Sequence, residues 1–230
     1  VAILTIQTAG TIGMCDAFAS KFKSLGGEVV LYEKEREGAT NFRSSLGLIK
    51  NSSAEALYIV GYPKETGLMI KQARELGLKI PLFSAQPAED PEVVKIAGEA
   101  INGVTFTTTT LPPEVLGEAY RKFAQAYEAR FGVKPGSFAA EAYDAANLII
   151  KAILEKGYKG SLIREYLLSV KNYPGASGPI TFDKNGDVEK PVIIYKYDSK
   201  GGKSPIAIFA KGKIMSYDSY VRDSRTSQGL

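Results

Sequence analysis

The chain has 230 residues, 44% of them hydrophobic and 23% charged, with a net charge of +4; these are values of an ordinary globular protein long enough for one or two domains. Histidine is absent and cysteine occurs once, which removes Ser–His and Cys–His dyads, the commonest metal ligand and any internal disulfide. Lysines alternate with glutamates in EKER (33–36) and KQARE (71–75), a pattern of solvated faces that argues against a nucleic-acid partner, and no apolar run reaches the ~20 residues of a membrane-spanning helix.

VAILTI (1–6) is a continuous apolar run of the kind expected for a parallel strand covered on both faces. TAGTIG (8–13) reads as a turn, and 14–27 as an amphipathic helix stopped by Gly26–Gly27. Cys15 falls within that helical pattern, where a buried small hydrophobe fits better than a nucleophile. A strand over 28–34, a helix over 41–53, a strand over 56–62 and a helix over 65–76 follow. Beyond them the pattern predicts a strand over 80–85, a short helix over 91–98 and a strand over 103–109. Alternating strands and helices imply a doubly wound parallel sheet with right-handed crossovers. The most informative stretch is 54–77, where an apolar strand ends on Tyr62 and runs straight into a helix; in α/β sheets small ligands are held at such junctions.

After LPPE (111–114) the texture changes. Helices are predicted over 114–131, 138–157 and 161–173, then two strands within 175–198 joined by the polar turn DKNGD (183–187). The tail alternates weakly and SRTSQGL (224–230) is expected to fray. Three helices with one or two strands lack a sheet to cover them, so this segment reads as completing a lobe whose first half lies elsewhere. The start at Val1, on a strand without a visible signal peptide, gives the same expectation.

GYPKETGLMIKQARELGLKIPLF (61–83), FAAEAYDAANLIIKAI (138–153) and PGASGPITFDKNGD (174–187) occur in order and resemble the type I periplasmic binding proteins of ABC importers, specifically the branched-chain amino acid binding family. VAILTI and AGEAINGVTF (97–106) fit the same pattern. The resemblance covers residues 1–198 and omits most of the family's N-terminal lobe. It implies two α/β lobes joined by three hinge strands that close on ligand: a C-terminal lobe from 1–107 and 195–230, and an incomplete N-terminal lobe from 108–194.

The resemblance also implies site residues. Tyr62 matches a ligand-facing tyrosine, its alternative being core packing. Gln86 falls where amino-acid binders carry an acid for the ligand's ammonium group; it is neutral, and Glu89 or Asp90 would have to replace the charge unless they are surface loop charges. Gly10, at the start of the turn Gly10–Thr11–Ile12, stands where those binders have a tyrosine; the turn is either an amide-lined anion seat or a simple tight turn. Phe138 matches a hydrophobic contact from the other lobe, or packs in the core. Glu141 and Asp144 lie three apart on a helix, more in keeping with ion pairing than with catalysis, and DKNGD lacks the glutamate of a calcium loop.

The expected function is therefore a non-enzymatic solute-binding protein without cofactor or metal, periplasmic or extracellular, with a lipid anchor conceivable only through a segment outside this chain. Its partners would be a small amino-acid-like or carboxylate ligand, a membrane permease, and either a second copy or the missing N-terminal half. The alternatives are a sensory domain on the same fold and an α/β enzyme relying on carboxylates, lysines and tyrosines.

Overall fold

The computed structural model describes residues 1–112, 115–210 and 212–228. The chain opens with β1 (Ala2–Ile6), α1 (Ala9–Ser24), β2 (Leu31–Glu35) and α2 (Arg43–Lys50). Next come β3 (Leu57–Val60), α3 (Pro63–Glu75), β4 (Leu82–Ser84), a 3-10 turn (Gln86–Glu89), α4 (Pro91–Ala97) and β5 (Thr105–Thr108). Then follow α5 (Glu118–Phe131), α6 (Ser137–Lys156), α7 (Gly160–Ser169), β6 (Tyr173–Gly175) and β7 (Gly178–Ile180). The chain closes with β8 (Val192–Tyr197), β9 (Lys203–Ala210), β10 (Lys213–Met215) and α8 (Tyr217–Gln228). Two compact units result, one from Val1–Thr108 with Ile194–Ala207, the other from Thr109–Ile193 with Ile208–Leu230.

In the first unit β2, β1, β3, β4 and β5 lie side by side in that order, all parallel. β3 is buried at all four residues, LYIV, and so is β1 at all five, as strands covered on both faces must be. Partners in register share a face, so Ile3 and Tyr58 point one way and Leu4 and Ile59 the other. α1 covers the first face: Phe18 stacks on Tyr58 at 4.2 Å, and Cys15 is buried with Ile3, Tyr58 and Val60. The second face buries Leu57, Ile59 and Leu82, and α2 and α3 bring their own buried residues, Leu46, Ile49, Met69 and Ile70, to the core. Buried Gln72 on α3 fixes the start of α2, accepting from the Phe42 amide at 2.7 Å and donating to the Thr40 carbonyl at 2.8 Å.

Among the described residues the second unit has four helices, α5 to α7 and α8, with the two-stranded antiparallel β6–β7 ribbon. Residues 208–210 of β9 pair antiparallel with β10 in the same unit. Asp144 on α6, 2% exposed, accepts from the amides of Ala176 and Ser177, each at 2.7 Å, and so clamps the β6–β7 turn to the helix. α6 buries only Ala140, Asp144, Leu148 and Ala152. Ile149, Ile150 and Leu154 stay exposed, the last at 80%; a helix apolar on this much of its circumference is ordinarily enclosed.

Several expectations change. The predicted turn at 8–13 is the first turn of α1, because Thr8 caps it and Thr11 completes a reciprocal capping pair. The helix predicted over 161–173 ends at Ser169, and the strand pair within 175–198 is β6–β7 plus β8. DKNGD does turn the chain, with Phe182 bridging Val188 and the Asp183 carboxylate receiving the Asn185 and Asp187 amides. Those backbone donors, Asp187 foremost, hold Asp183 below the usual carboxylate range. The tail holds two strands and a helix that weak alternation concealed. Gly229 and Leu230 of the expected frayed end, and Glu114 where the first helix of the second segment was to begin, lie outside the described residues. From Ile208 on, the chain belongs to the second unit, whereas the sequence placed all of 195–230 with the first.

Two outcomes test this packing. Asp144→Ala leaves one buried and one half-buried amide without their acceptor and is expected to cost about 2–4 kcal/mol in urea denaturation, with Asp144→Asn costing less because one acceptor oxygen remains. Burial pushes the Cys15 thiol pKa up, with Thr5 and Tyr32 opposing the shift weakly. Its stabilising contribution is therefore full below the ordinary thiol range and is lost as pH rises through the raised value. Iodoacetamide at pH 8 should label the native chain about 100-fold more slowly than the chain in urea.

Candidate functional site at the strand ends

Because β1, β3 and β4 are parallel neighbours, their carboxyl ends share one edge of the sheet, and α1, α3 and the 3-10 turn begin there. This edge brings Gly10–Thr11–Ile12, Tyr62 and Gln86 to three adjacent strand ends. Phe138, the second residue of α6, is exposed in the other unit.

Tyr62 is the N-cap residue of α3, followed by Pro63 at the first helical position, where proline's fixed φ suits the helix and its missing N–H costs nothing. The ring is 46% exposed, so it does not pack in the core. Gly61 is closely packed at the strand exit, where a Cβ would meet Met69 Cε at 2.9 Å and Ile6 Cγ1 at 3.1 Å. The Thr66 hydroxyl secures the same corner by donating to the Gly61 carbonyl at 3.0 Å.

The Thr11 side chain is spent on the fold. It is buried, its hydroxyl donates to the Ile6 carbonyl, and its amide donates to Thr8 Oγ1 at 3.3 Å. Gly10 is exposed, and a Cβ on it would meet nothing within 4 Å, so the first turn of α1 leaves open space where a side chain could stand. Ile12 is half-buried beside it.

Gln86 is half-buried at the head of the 3-10 turn. The acids that might replace its missing charge are both engaged. Glu89 Oε1 lies 2.8 Å from Lys203 Nζ and its Oε2 accepts from the Thr108 hydroxyl at 2.8 Å, while Asp90 caps α4 by accepting from the Glu92 amide at 2.8 Å. Sequence reasoning passed over Glu65, in the first turn of α3 and only 6% exposed. Its Cβ lies 3.3 Å from a Cβ placed on Gly61, and helical side chains lean toward the helix N-terminus. The Glu in YPKE, three residues past Tyr62, was the available signal.

The other constellations resolve as structure. Asp144 is the clamp described above, and Glu141 pairs loosely with Lys190 at 3.8 Å. Among the described residues no group of three or more acids or cysteines is placed to hold a metal, and no helix is long and apolar enough to cross a membrane. An apolar groove of about 350 Å³ lies on the sheet face beside α1, lined by Val1, Phe18, Phe22, Tyr58, Phe83 and Ile194 among others.

Residues 1–203 match the periplasmic binding protein family. A Leu/Ile/Val-binding protein homolog of Brucella abortus is 25% identical over 202 residues, covering 86% of this chain and 53% of that protein. The solved leucine binding protein of Thermotoga maritima superimposes with a TM-score of 0.77 at 29% identity, over 91% of this chain and 61% of the other. A solute binding protein of R. palustris, solved in complex with benzoate, shares the fold with a TM-score of 0.78 at 19% identity, over 94% and 59% of the two chains. The chain thus spans about half the length of the curated relatives it matches. With the parallel sheet and these matches together, the chain belongs to the type I periplasmic binding proteins of the branched-chain amino acid family.

Proposed function

We propose that this chain is the ligand-binding part of an ABC importer, acting outside the cytoplasmic membrane, without chemical turnover, to hold a small organic ligand for a permease. The observation that carries the reading is the exposed Tyr62 at the end of a fully buried central strand, flanked by the open first turn at Gly10 and by Gln86. An aromatic face with a hydroxyl tip, amide donors at a helix start and a neutral amide suit a small amphipathic molecule. Phe138 enters only as a further exposed aromatic of the second unit.

The ligand class turns on charge. The turn after β4 presents neutral Gln86 with Glu89 and Asp90 engaged, which favours a carboxylate without an ammonium group, the class to which the benzoate of the R. palustris structure belongs. A second reading, an α-amino acid, is favoured by Glu65, a further carboxylate at the same strand ends, buried in the first turn of α3. Titration calorimetry with benzoate, leucine and isoleucine separates them. Benzoate is expected to bind and the amino acids to bind at least about tenfold more weakly, a difference of ~1.4 kcal/mol. The reverse order, abolished by Glu65→Gln, establishes the second reading. Tyr62→Ala should weaken whichever ligand binds by about tenfold or more, and absence of binding by all three removes support for the ligand reading.

The importer reading also includes a protein partner. The exposed apolar face of α6 and the groove beside α1 are surfaces that soluble proteins ordinarily cover. We read them as seats for the part of the fold that the longer relatives possess, or for a second copy. Light scattering should find the chain associating, and Ile150→Lys with Leu154→Lys should suppress association while changing stability by less than about 1 kcal/mol. A monomer indifferent to both substitutions contradicts this.

A further inference from the structure

We propose that Lys203 and Glu89 form a positioning clasp that holds the Gln86 turn in place for ligand capture. Glu89 is the last residue of the turn that Gln86 begins. Its side chain is 17% exposed and that of Lys203 32%, and their charged atoms meet at 2.8 Å across 114 residues of sequence. Lys203 Nζ also lies 5.1 Å from the Tyr195 ring centroid and 5.6 Å from that of Phe106, within cation–π range. The second carboxylate oxygen of Glu89 accepts from the Thr108 hydroxyl at 2.8 Å. One residue earlier, the Ala88 carbonyl accepts from the Tyr197 hydroxyl, also at 2.8 Å. A four-residue 3-10 turn has little hydrogen bonding of its own, yet this one is tied to β5, β8 and β9 at once.

The strands that hold it are those in which the chain leaves or enters the first unit. Thr108 is the last residue before one passage, β8 enters at Ile194, and β9 leaves after Ala207. The clasp therefore joins the turn carrying Gln86 to all three passages through side chains of the first unit alone. A partly buried pair of this kind is screened less than a surface ion pair, and removing one partner takes the counter-charge from the other. Glu89 and Lys203 act on ligand only through the turn, so they are positioning residues.

The role rests on the proposed ligand site, and the test keeps the two apart. Amide hydrogen exchange is followed in the full chain for 86–90, with the α3 amides as internal reference, alongside calorimetry with benzoate, leucine and isoleucine. Glu89→Gln and Lys203→Met are expected to speed exchange at 86–90 by about tenfold without moving α3, and to weaken binding of whichever probe the wild type takes by about fivefold or more. Lys203→Arg, which keeps charge and cation–π contact, should restore both readouts. Reversing the pair as Glu89→Lys with Lys203→Glu should restore neither, because a carboxylate over the Tyr195 and Phe106 rings is repelled. Unchanged exchange at 86–90 in both single variants overturns the clasp, as does altered exchange with unaltered probe binding. If the wild type takes none of the probes, the ligand reading fails while exchange still decides whether the clasp exists.

Discussion

The pairing of β3 with a parallel neighbour on each side governs the rest of this molecule. Ile59 faces Leu4 of β1 and Ser84 of β4, and the Ser84 hydroxyl adds a buried bond to the Ile59 carbonyl at 2.8 Å. A one-residue slip would turn every side chain of LYIV to the opposite face, setting Tyr58 against the α3 side and Ile59 against α1. With the register fixed, three carboxyl ends are brought to one edge, and each following segment must start there. The corner at Tyr62 follows from sheet geometry before any particular side chain is considered.

What the corner can do is set by which polar groups the fold has already used. Thr11 and Thr66 look like ligand donors, yet both hydroxyls bond backbone carbonyls. Asp90 caps a helix, and Glu89 answers a lysine and a threonine. These commitments set Thr11, Thr66, Glu89 and Asp90 apart from the exposed ring of Tyr62 at the same edge. Under the proposed function, the surface at this edge selects by shape and hydrogen bonding. It holds no histidine, and the chain's one cysteine is sealed in the core behind Phe18 and Tyr58.

Much of the first unit could be read directly, since apolar runs such as VAILTI and ALYIVGY permit only buried parallel strands when helical patterns alternate with them. The turn at 8–13 was misjudged because glycines at 10 and 13 mimic a loop, whereas the Thr8–Thr11 capping pair carries the helix through them. β9, β10 and α8 were hidden by polar, weakly patterned sequence whose order comes from pairing and not from intrinsic propensity. The Tyr62 corner was legible from Gly61 and Pro63. The engagement of Glu89 was not, because its partner stands 114 positions away, a separation no local pattern encodes. Few strands are legible in the second segment, and α6 there carries an exposed apolar side at Ile149, Ile150 and Leu154.

The account stands on ligand meeting the protein at the ends of β1, β3 and β4. Mapping amide chemical shifts of the isotopically labelled chain during titration with benzoate and with leucine tests this directly. Changes concentrated at Gly10, Thr11, Ile12, Tyr62 and Gln86, with the α6 amides of 149–154 unmoved, are the result expected. Saturable changes confined to the groove beside Phe18, Tyr58 and Phe83, with the strand ends silent, would contradict it.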